Sequence, residues 1–361
     1  MLNPSAALHP GHCASMAQLR EFDAIIDVRS ESEFAEDHIP GAINCPVLDD
    51  TQRAQVGTIY KQVSTFDAKK IGAALVSENI ARHLRERFAD KPRGWRPLIY
   101  CWRGGGRSGA MAHVLTQIGW PARRLEGGYK AFRRTVIAEL AALPEQFTWQ
   151  VVCGLTGAGK SCLLRALAQA GAQVLDLEAL AAHRGSVLGN LPGKPQPSQK
   201  LFESRLWHVL RSFDTARPVF VESESKKIGT LRVPETLIDA MWRSETILLE
   251  ASVATRVALL KAEYEHFLGD AAALNTQLEC LTHLHGRDTI QRWTTMANDG
   301  HWDSLTAELL TRHYDPTYAR AIVKHYPSLE RALRLEVTTA GDAAFAALAQ
   351  ACLTQQEKVS L

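Results

Sequence analysis

The sequence predicts two consecutive α/β domains, each on a mainly parallel sheet, the second ending in a helical C-terminal part. Three observations carry this. Short apolar runs of strand length alternate with helical stretches through both halves of the 361 residues. In the first half a strand runs into Cys101-Trp102-Arg103-Gly104-Gly105-Gly106-Arg107-Ser108 and then a helix. In the second half another strand runs into Gly154-Leu155-Thr156-Gly157-Ala158-Gly159-Lys160-Ser161, again before a helix. The length suits two domains, placed at residues 14–138 and 139–361.

Composition narrows the class. An apolar fraction of 46% and a charged fraction of 22% are those of ordinary soluble globular proteins. No run of about 18 apolar residues appears, so no membrane helix and no membrane partner are expected. Met1 to Ala17 lacks the basic start and long apolar core of a signal peptide. Seven scattered cysteines make no disulfide framework, and a reducing cytoplasm is the expected location. A net charge of +2 argues against a general polyanion binder, so any nucleic-acid contact must come from local patches.

Taken in order, Ala24-Ile25-Ile26-Asp27-Val28-Arg29 is an apolar run that delivers Asp27 and Arg29 to the C-terminal edge of a buried strand. Ser30 and Glu33 have the spacing of a capping box at a helix start. His38 to Asn44 reads as a turn and a short strand. Asp49 to Lys70 reads as less regular, ahead of a helix over residues 71–88. The run Pro97-Leu98-Ile99-Tyr100 then leads to Cys101. Met111, Val114, Leu115 and Ile118 follow at helical spacing, and Arg123 to Tyr129 reads as strand, turn and helix. Glycines let several backbone N–H groups converge on one point. The Cys101 loop therefore presents a thiol beside an anion-binding bowl, where a helix N-terminus, Arg103 and Arg107 favour the thiolate.

These motifs, Asp27-Val28-Arg29, Glu33-Phe34, His38 to Asn44, the Cys101 loop and Glu126-Gly127-Gly128-Tyr129, resemble a rhodanese (sulfurtransferase) domain over about 130 residues. The resemblance implies that Cys101 carries sulfur as a persulfide, with Asp27, Arg103 and Arg107 about it. Cys101 and Arg107 are also separated by five residues, the Cys-x5-Arg spacing of thiol phosphatases, where sulfurtransferase loops are typically one residue shorter. The longer bowl suggests a phosphate-bearing anion, and loop length leaves phosphatase and chalcogen transfer both open.

Residues 138–146 read as a helix tail and linker. Thr148 to Cys153 is a strand leading directly into G-x-x-x-x-G-K-S, a phosphate-binding P-loop. Amides around Gly154, Thr156, Gly157 and Gly159 would cradle a phosphate chain, Lys160 adds charge, and the Ser161 hydroxyl could hold Mg2+. No tightly bound cofactor and no side-chain metal centre are expected. Asp176 to Ser186 combines Glu178, His183, Arg184 and Ser186, an unusual set for a passive connection. Arg217 to Glu224 is the next strand. Its Glu222 stands where a nucleotidase places a magnesium-binding aspartate, and reads equally as an exposed acidic strand end. Thr246 to Glu250 and Arg334 to Val337 are further strands, and Val253 to His325 is mostly helical.

Both halves together resemble the tRNA 2-selenouridine synthases. The match includes Leu177-Glu178 with His183-Arg184-Gly185-Ser186, Glu222-Ser223-Glu224-Ser225 with Ile228-Gly229, and Tyr314-Asp315-Pro316 with Tyr318. The resemblance implies replacement of sulfur by selenium in wobble 2-thiouridine, through geranylation by geranyl diphosphate and then selenium from selenophosphate via a cysteine perselenide. Substrates would then be those two phosphate-bearing molecules and the anticodon region of tRNA. The alternative is a P-loop ATPase or kinase carrying a rhodanese-like sulfur carrier or thiol phosphatase.

Several further signals are weaker. Leu155, Leu188 or Leu191 could line an isoprenoid slot, though such residues are more often packing. Cys280, His283 and His285 lack a fourth ligand at zinc-finger spacing. The pairs Arg123-Arg124, Arg133-Arg134 and Lys226-Lys227 could meet tRNA phosphates, and Trp242, Trp293, Trp302 and Tyr314 are aromatic side chains for stacking.

Overall fold

A computed structural model describes residues 13–186, 188–191, 193–265 and 269–359. It divides into two compact units. One runs to Glu139 and takes in Glu203–His208; the other comprises Leu140–Phe202 and Val209 onwards. No described helix is long and apolar enough to cross a membrane.

The first unit is a five-stranded sheet, every pairing parallel. Its strands are β1 (Cys13–Ala14), β2 (Ala24–Asp27), β3 (Ile43–Asn44), β4 (Pro97–Tyr100) and β5 (Arg123–Leu125), in the order β1-β5-β4-β2-β3. All four residues of β4 are buried, as a central strand covered on both faces requires. Ile26, Val28, Ile99, Met111 and Leu115 belong to its core. Helix α1 (Glu31–Glu36) starts at the Ser30–Glu33 capping box, where the Ser30 amide donates to Glu33 Oε2 at 3.3 Å.

The stretch from Asp49 to Lys70, expected to be irregular, is helical instead. It forms α2 (Asp50–Gln62) and the first turns of α3 (Thr65–Arg87). No residue of α2 is buried, so no apolar stripe marks it. The signals lay in the caps. Asp49 Oδ1 accepts from the Gln52 amide at 2.7 Å, and Ser64 Oγ from the Asp67 amide at 3.2 Å. Helices α4 (Gly106–Ile118) and α5 (Gly128–Leu140) follow β4 and β5.

The second unit carries another all-parallel sheet. Its strands are β6 (Trp149–Gly154), β7 (Gln173–Leu175), β8 (Val219–Glu222), a later strand at Glu245–Ala251 and a last one at Leu333–Val337. With β9 (Lys227–Ile228) and β10 (Leu231–Arg232) forming a separate antiparallel ribbon, those last two become β11 and β12, and the order is β12-β11-β6-β8-β7. The fully buried β6 is central. Helix α6 (Lys160–Gln169) follows the loop after it, α7 (Leu177–Ala181) follows β7, and α8 (Gln199–Leu210) and α9 (Glu235–Trp242) flank β8–β10.

After β11 the chain is helical. It passes through α10 (Val253–Glu263), α11 (Ala271–Glu279), α12 (Thr282–His285), α13 (Arg287–Asn298) and α14 (Trp302–Leu309). One π-helical turn, Leu310–Tyr314, joins α14 to α15 (Asp315–His325), and α16 (Asp342–Val359) follows β12. Leu274, Leu278, Trp293, Leu305 and Leu309 form a core of their own within this helical part.

Candidate functional site

In the first unit β4 delivers Cys101 to a loop clamped by the β5–α5 turn. The Tyr129 amide donates to the Cys101 carbonyl at 2.9 Å and the Lys130 amide to that of Trp102 at 3.1 Å. That approach requires Gly128. Its φ is +57°, and a Cβ there would lie 2.3 Å from the Cys101 carbonyl oxygen. The thiol is buried, 4% exposed, with Sγ 3.2 Å from Ser108 Oγ in the first turn of α4. Arg103 is exposed beside it.

Arg107 Nη1 donates to Glu33 Oε2 at 2.8 Å, and Arg53 approaches the same oxygen at 3.1 Å. Burial opposes the charge on Glu33, but the Arg107 hydrogen bond and the two guanidinium charges outweigh it and hold its pKa below the ordinary value. Arg107 is thus oriented by a carboxylate. Asp27, expected among the catalytic groups, is not at the mouth of the bowl. It is wholly buried and engaged by Arg29, with Nη2–Oδ2 at 2.6 Å. A buried carboxylate needs such a partner. Arg29 in turn donates to the Asp37 carbonyl at 2.6 Å and lies 4.1 Å from the Tyr129 ring centre, so the pair braces the wall that carries Tyr129.

In the second unit β6 ends in the P-loop. Gly159 has φ +90°, and a Cβ there would lie 2.5 Å from Phe345 Cζ. Lys160 Nζ donates to the Gly154 carbonyl at 3.3 Å and lies 5.5 Å from the Tyr318 ring centre. Arg256 holds the loop from behind, its Nε donating to the Thr156 carbonyl at 2.8 Å.

β8 lies beside β6, with Glu222 in register with Val152, so Glu222 emerges next to the P-loop. It is 1% exposed, which corrects the expectation of an open acidic strand end. Asp176 caps α7, accepting from the Ala179 amide at 2.8 Å, and this places Glu178 in the first helical turn. Glu178, Glu222 and Glu224 each bring a carboxylate oxygen within 4.8 Å of the others. Burial, reinforced by the repulsion of neighbouring carboxylates, raises the pKa of all three.

Thr156, Lys160, Ser161, Arg184 and Ser186 line the same cleft as the three glutamates. His183 does not line it. Ala182, at φ +49°, turns the chain there, and His183 Nδ1 accepts from the Gly185 amide at 3.1 Å. Arg184 Nη1 pairs with Glu263 Oε1 at 2.5 Å, and Ser186 Oγ is 3.3 Å from Tyr264 Oη.

An apolar slot adjoins this cleft and shares Thr156, Ser186, Leu260 and Tyr264 with it. Leu274, Leu305, Leu309 and Tyr314 wall it. Of the three leucines expected to line such a slot, only Leu188 does. Leu155 lines a different cleft, with Leu248 and Ile322. Sequence reasoning placed Glu224 in the Glu222–Ser225 motif without a role, and missed Glu263, Tyr264 and the walls from the helical part. The Tyr314–Tyr318 motif was the one signal that could have found them.

The weaker signals resolve as follows. Arg124 is buried, its Nη1 3.3 Å from the Gly104 carbonyl oxygen, and Trp293 is fully buried, so neither is open to a partner. Trp242 stacks on His325 with ring centres 4.2 Å apart. Cys280, His283 and His285 form no three-ligand cluster among the described residues; His285 instead meets His313, Nε2 to Nδ1, at 2.9 Å.

A cysteine loop on one parallel sheet and a P-loop on another define a rhodanese-like domain joined to a P-loop domain. Family models match both halves: a rhodanese-like domain over residues 13–135, and the tRNA 2-selenouridine synthase AAA domain over residues 147–284. Proteins named tRNA 2-selenouridine synthase are similar over much of the chain. The one from Marinobacter nauticus is 34% identical over 327 residues, 81% of this chain and 87% of its own. The one from Salmonella arizonae is 33% identical, covering 83% of this chain and 90% of its own. That of Nitrosomonas europaea is 36% identical over a shorter match, 66% of this chain and 63% of its own. The chain belongs to the tRNA 2-selenouridine synthase family.

Proposed function

We propose that this chain is a tRNA-modifying transferase that converts wobble 2-thiouridine to 2-selenouridine in two steps. In the first, the thiocarbonyl sulfur attacks C1 of geranyl diphosphate. The C1–O bond breaks, its electron pair leaves with diphosphate, and the base gives up its N3 proton. The observation that carries this reading is the apolar slot opening into the P-loop cleft. A geranyl diphosphate has one anionic end and one greasy end, and the two adjoining cavities have those characters. Lys160 and the loop amides stabilise the departing diphosphate, so the loop acts on a leaving group without hydrolysing nucleotide. The Ser161 hydroxyl suits Mg2+ on that diphosphate.

In the second step selenium from selenophosphate bonds to C2 and geranylthiolate departs. Phosphorus takes oxygen from water and leaves as phosphate. Selenium is at the selenide level in both donor and product, so any passage through Cys101 must be redox-neutral overall. The Cys101 bowl, with Arg103 and the Glu33-oriented Arg107, is assigned to this step. Loading selenide onto the Cys101 sulfur as a perselenide is a two-electron oxidation, for which a disulfide is the acceptor by class, and two thiols reverse it on delivery. The tRNA anticodon region is the macromolecular substrate, and the exposed Lys226-Lys227 beyond Glu224 are assigned to its phosphates.

Separate titrations of the purified protein with geranyl diphosphate and with ATP test the reading. Geranyl diphosphate is expected to bind more tightly and to yield S-geranylated tRNA with no nucleotide added. Tight ATP binding with robust hydrolysis, and no geranyl transfer, would assign the loop to an ATPase.

A further inference from the structure

Outside the P-loop itself, the densest set of metal-ligating side chains among the described residues is Glu178, Glu222 and Glu224. They come from three places: the first turn of α7, the last residue of β8, and the segment beyond it. Glu222 and Glu224 are 1% and 6% exposed. Glu222 Oε1 is buried without a hydrogen-bond partner. A buried carboxylate oxygen with nothing to accept from is costly. Of the two cationic side chains in the same cleft, Arg184 pairs with Glu263 and Lys160 donates to the Gly154 carbonyl, and neither satisfies that oxygen.

The spacing points to what would. Oxygens held at about 2.0–2.1 Å from Mg2+ lie about 2.9 Å apart when adjacent and about 4.2 Å apart when opposite. Three carboxylate oxygens all within 4.8 Å of one another are close to that span, and side-chain rotation can close them on one ion. Gly185 closes one side, where a Cβ would lie 2.7 Å from Glu224 Oε1 and 2.8 Å from Glu178 Oε1, so backbone and not side chain bounds the pocket.

We propose that Glu178, Glu222 and Glu224 bind one divalent hard cation, of the Mg2+ or Mn2+ class, directly and without any phosphate ligand. This differs from a metal that arrives on a diphosphate and is held through Ser161, because all the charge needed is built into the protein. The bound cation supplies a fixed positive centre beside Lys160. Its existence does not depend on which phosphate the P-loop holds.

Metal-stripped protein is titrated with Mn2+, free ion being followed by electron paramagnetic resonance, without and with added pyrophosphate, and with Mg2+ as competitor. One site per chain is expected without pyrophosphate, displaced by Mg2+. Glu222→Gln and Glu178→Gln should each weaken it at least about tenfold. If Glu222→Gln fails to fold, the Glu178→Gln variant, whose side chain is less buried, decides. Absence of Mn2+ binding until pyrophosphate is added, or an affinity unmoved by either substitution, overturns the proposal. No geranyl diphosphate or tRNA is used, so failure here leaves the transferase reading standing.

Discussion

Arg256 and Asp315 form a bidentate ion pair behind the P-loop, with Nη1–Oδ2 at 3.0 Å and Nη2–Oδ1 at 2.5 Å. Arg256 is almost fully buried, and its remaining Nε–H holds the Thr156 carbonyl. One guanidinium thus joins the helix that begins with Asp315 to the P-loop. Asp315→Ala would leave that buried charge uncompensated, at a cost of about 3 kcal/mol or more. The variant should unfold at lower urea and bind pyrophosphate more weakly. An unchanged urea midpoint would show that the pair does not support the loop.

On the proposed reading, Lys160→Ala removes a donor from the diphosphate leaving group. Loss of such a group costs on the order of 3 kcal/mol, about a hundredfold in rate. Geranylation of thiolated tRNA should fall by that factor, whereas selenation of tRNA geranylated beforehand should fall far less. Single-turnover assays of the two steps separate them. Equal loss in both would mean the P-loop also serves the selenium step.

Cys101→Ser should abolish selenium transfer and leave geranylation largely intact, because a hydroxyl forms no perselenide. Selenation at the normal rate by the serine variant would remove the sulfur from the mechanism and favour direct attack by selenide. Gly128→Ala provides a geometric companion. Its methyl group cannot coexist with the Cys101 carbonyl at 2.3 Å, so the loop must shift and selenation should drop with the thiol still present.

The slot can be filled from its helical side without touching the P-loop. Thr306, half-buried on α14, lines the slot and not the phosphate cleft. Thr306→Trp should weaken geranyl diphosphate at least about tenfold, which is ~1.4 kcal/mol, with pyrophosphate binding unchanged. Calorimetric titration with both ligands gives the answer. Equal affinity for geranyl diphosphate in the variant would place the isoprenoid elsewhere.

On mild acidification the buried histidines lower stability, whereas the raised Glu178, Glu222 and Glu224 act in the opposite sense. Burial lowers the pKa of His83, His183 and His313 below the ordinary 6.5, and His285 adds repulsion at His313. Unfolded imidazoles therefore take up protons before the folded ones do. The stability these groups confer is complete above about pH 6.5 and is lost as pH falls toward the folded pKa values. His83 Nε2 lies 2.9 Å from the Pro46 carbonyl oxygen. His83→Gln can keep a donor there while removing the titration, so between about pH 7 and pH 5 its melting temperature should rise relative to that of the wild type. A difference that stays constant over that range would mean that His83 adds nothing to the pH dependence.

Much of this protein was decided locally and could be read residue by residue. Alternating strands and helices gave two parallel sheets. Both glycine loops stand between a strand and a helix, because amide convergence and left-handed φ values are properties of a few consecutive residues. The capping box at Ser30 is equally local. Helix α2 escaped notice because it buries nothing, so the apolar periodicity that reveals a helix was missing and only its cap remained.

Tertiary structure alone decided the rest, since it depends on pairs far apart in the chain. Thr156 and Arg256 meet across 100 residues, and Arg256 and Asp315 across 59. The order β6-β8-β7 brings Glu178 beside Glu222 and Glu224, and turns an acidic strand end into a buried cluster. Asp27 pairs with its near neighbour Arg29, but only the fold brings Glu33 to Arg107, 74 residues on. The apolar slot is built from α10, α11 and α14, whose leucines have the composition of any helical core. Which of them face a cavity depends on how separate helices pack, and helical periodicity specifies only that one face is apolar, not what it meets.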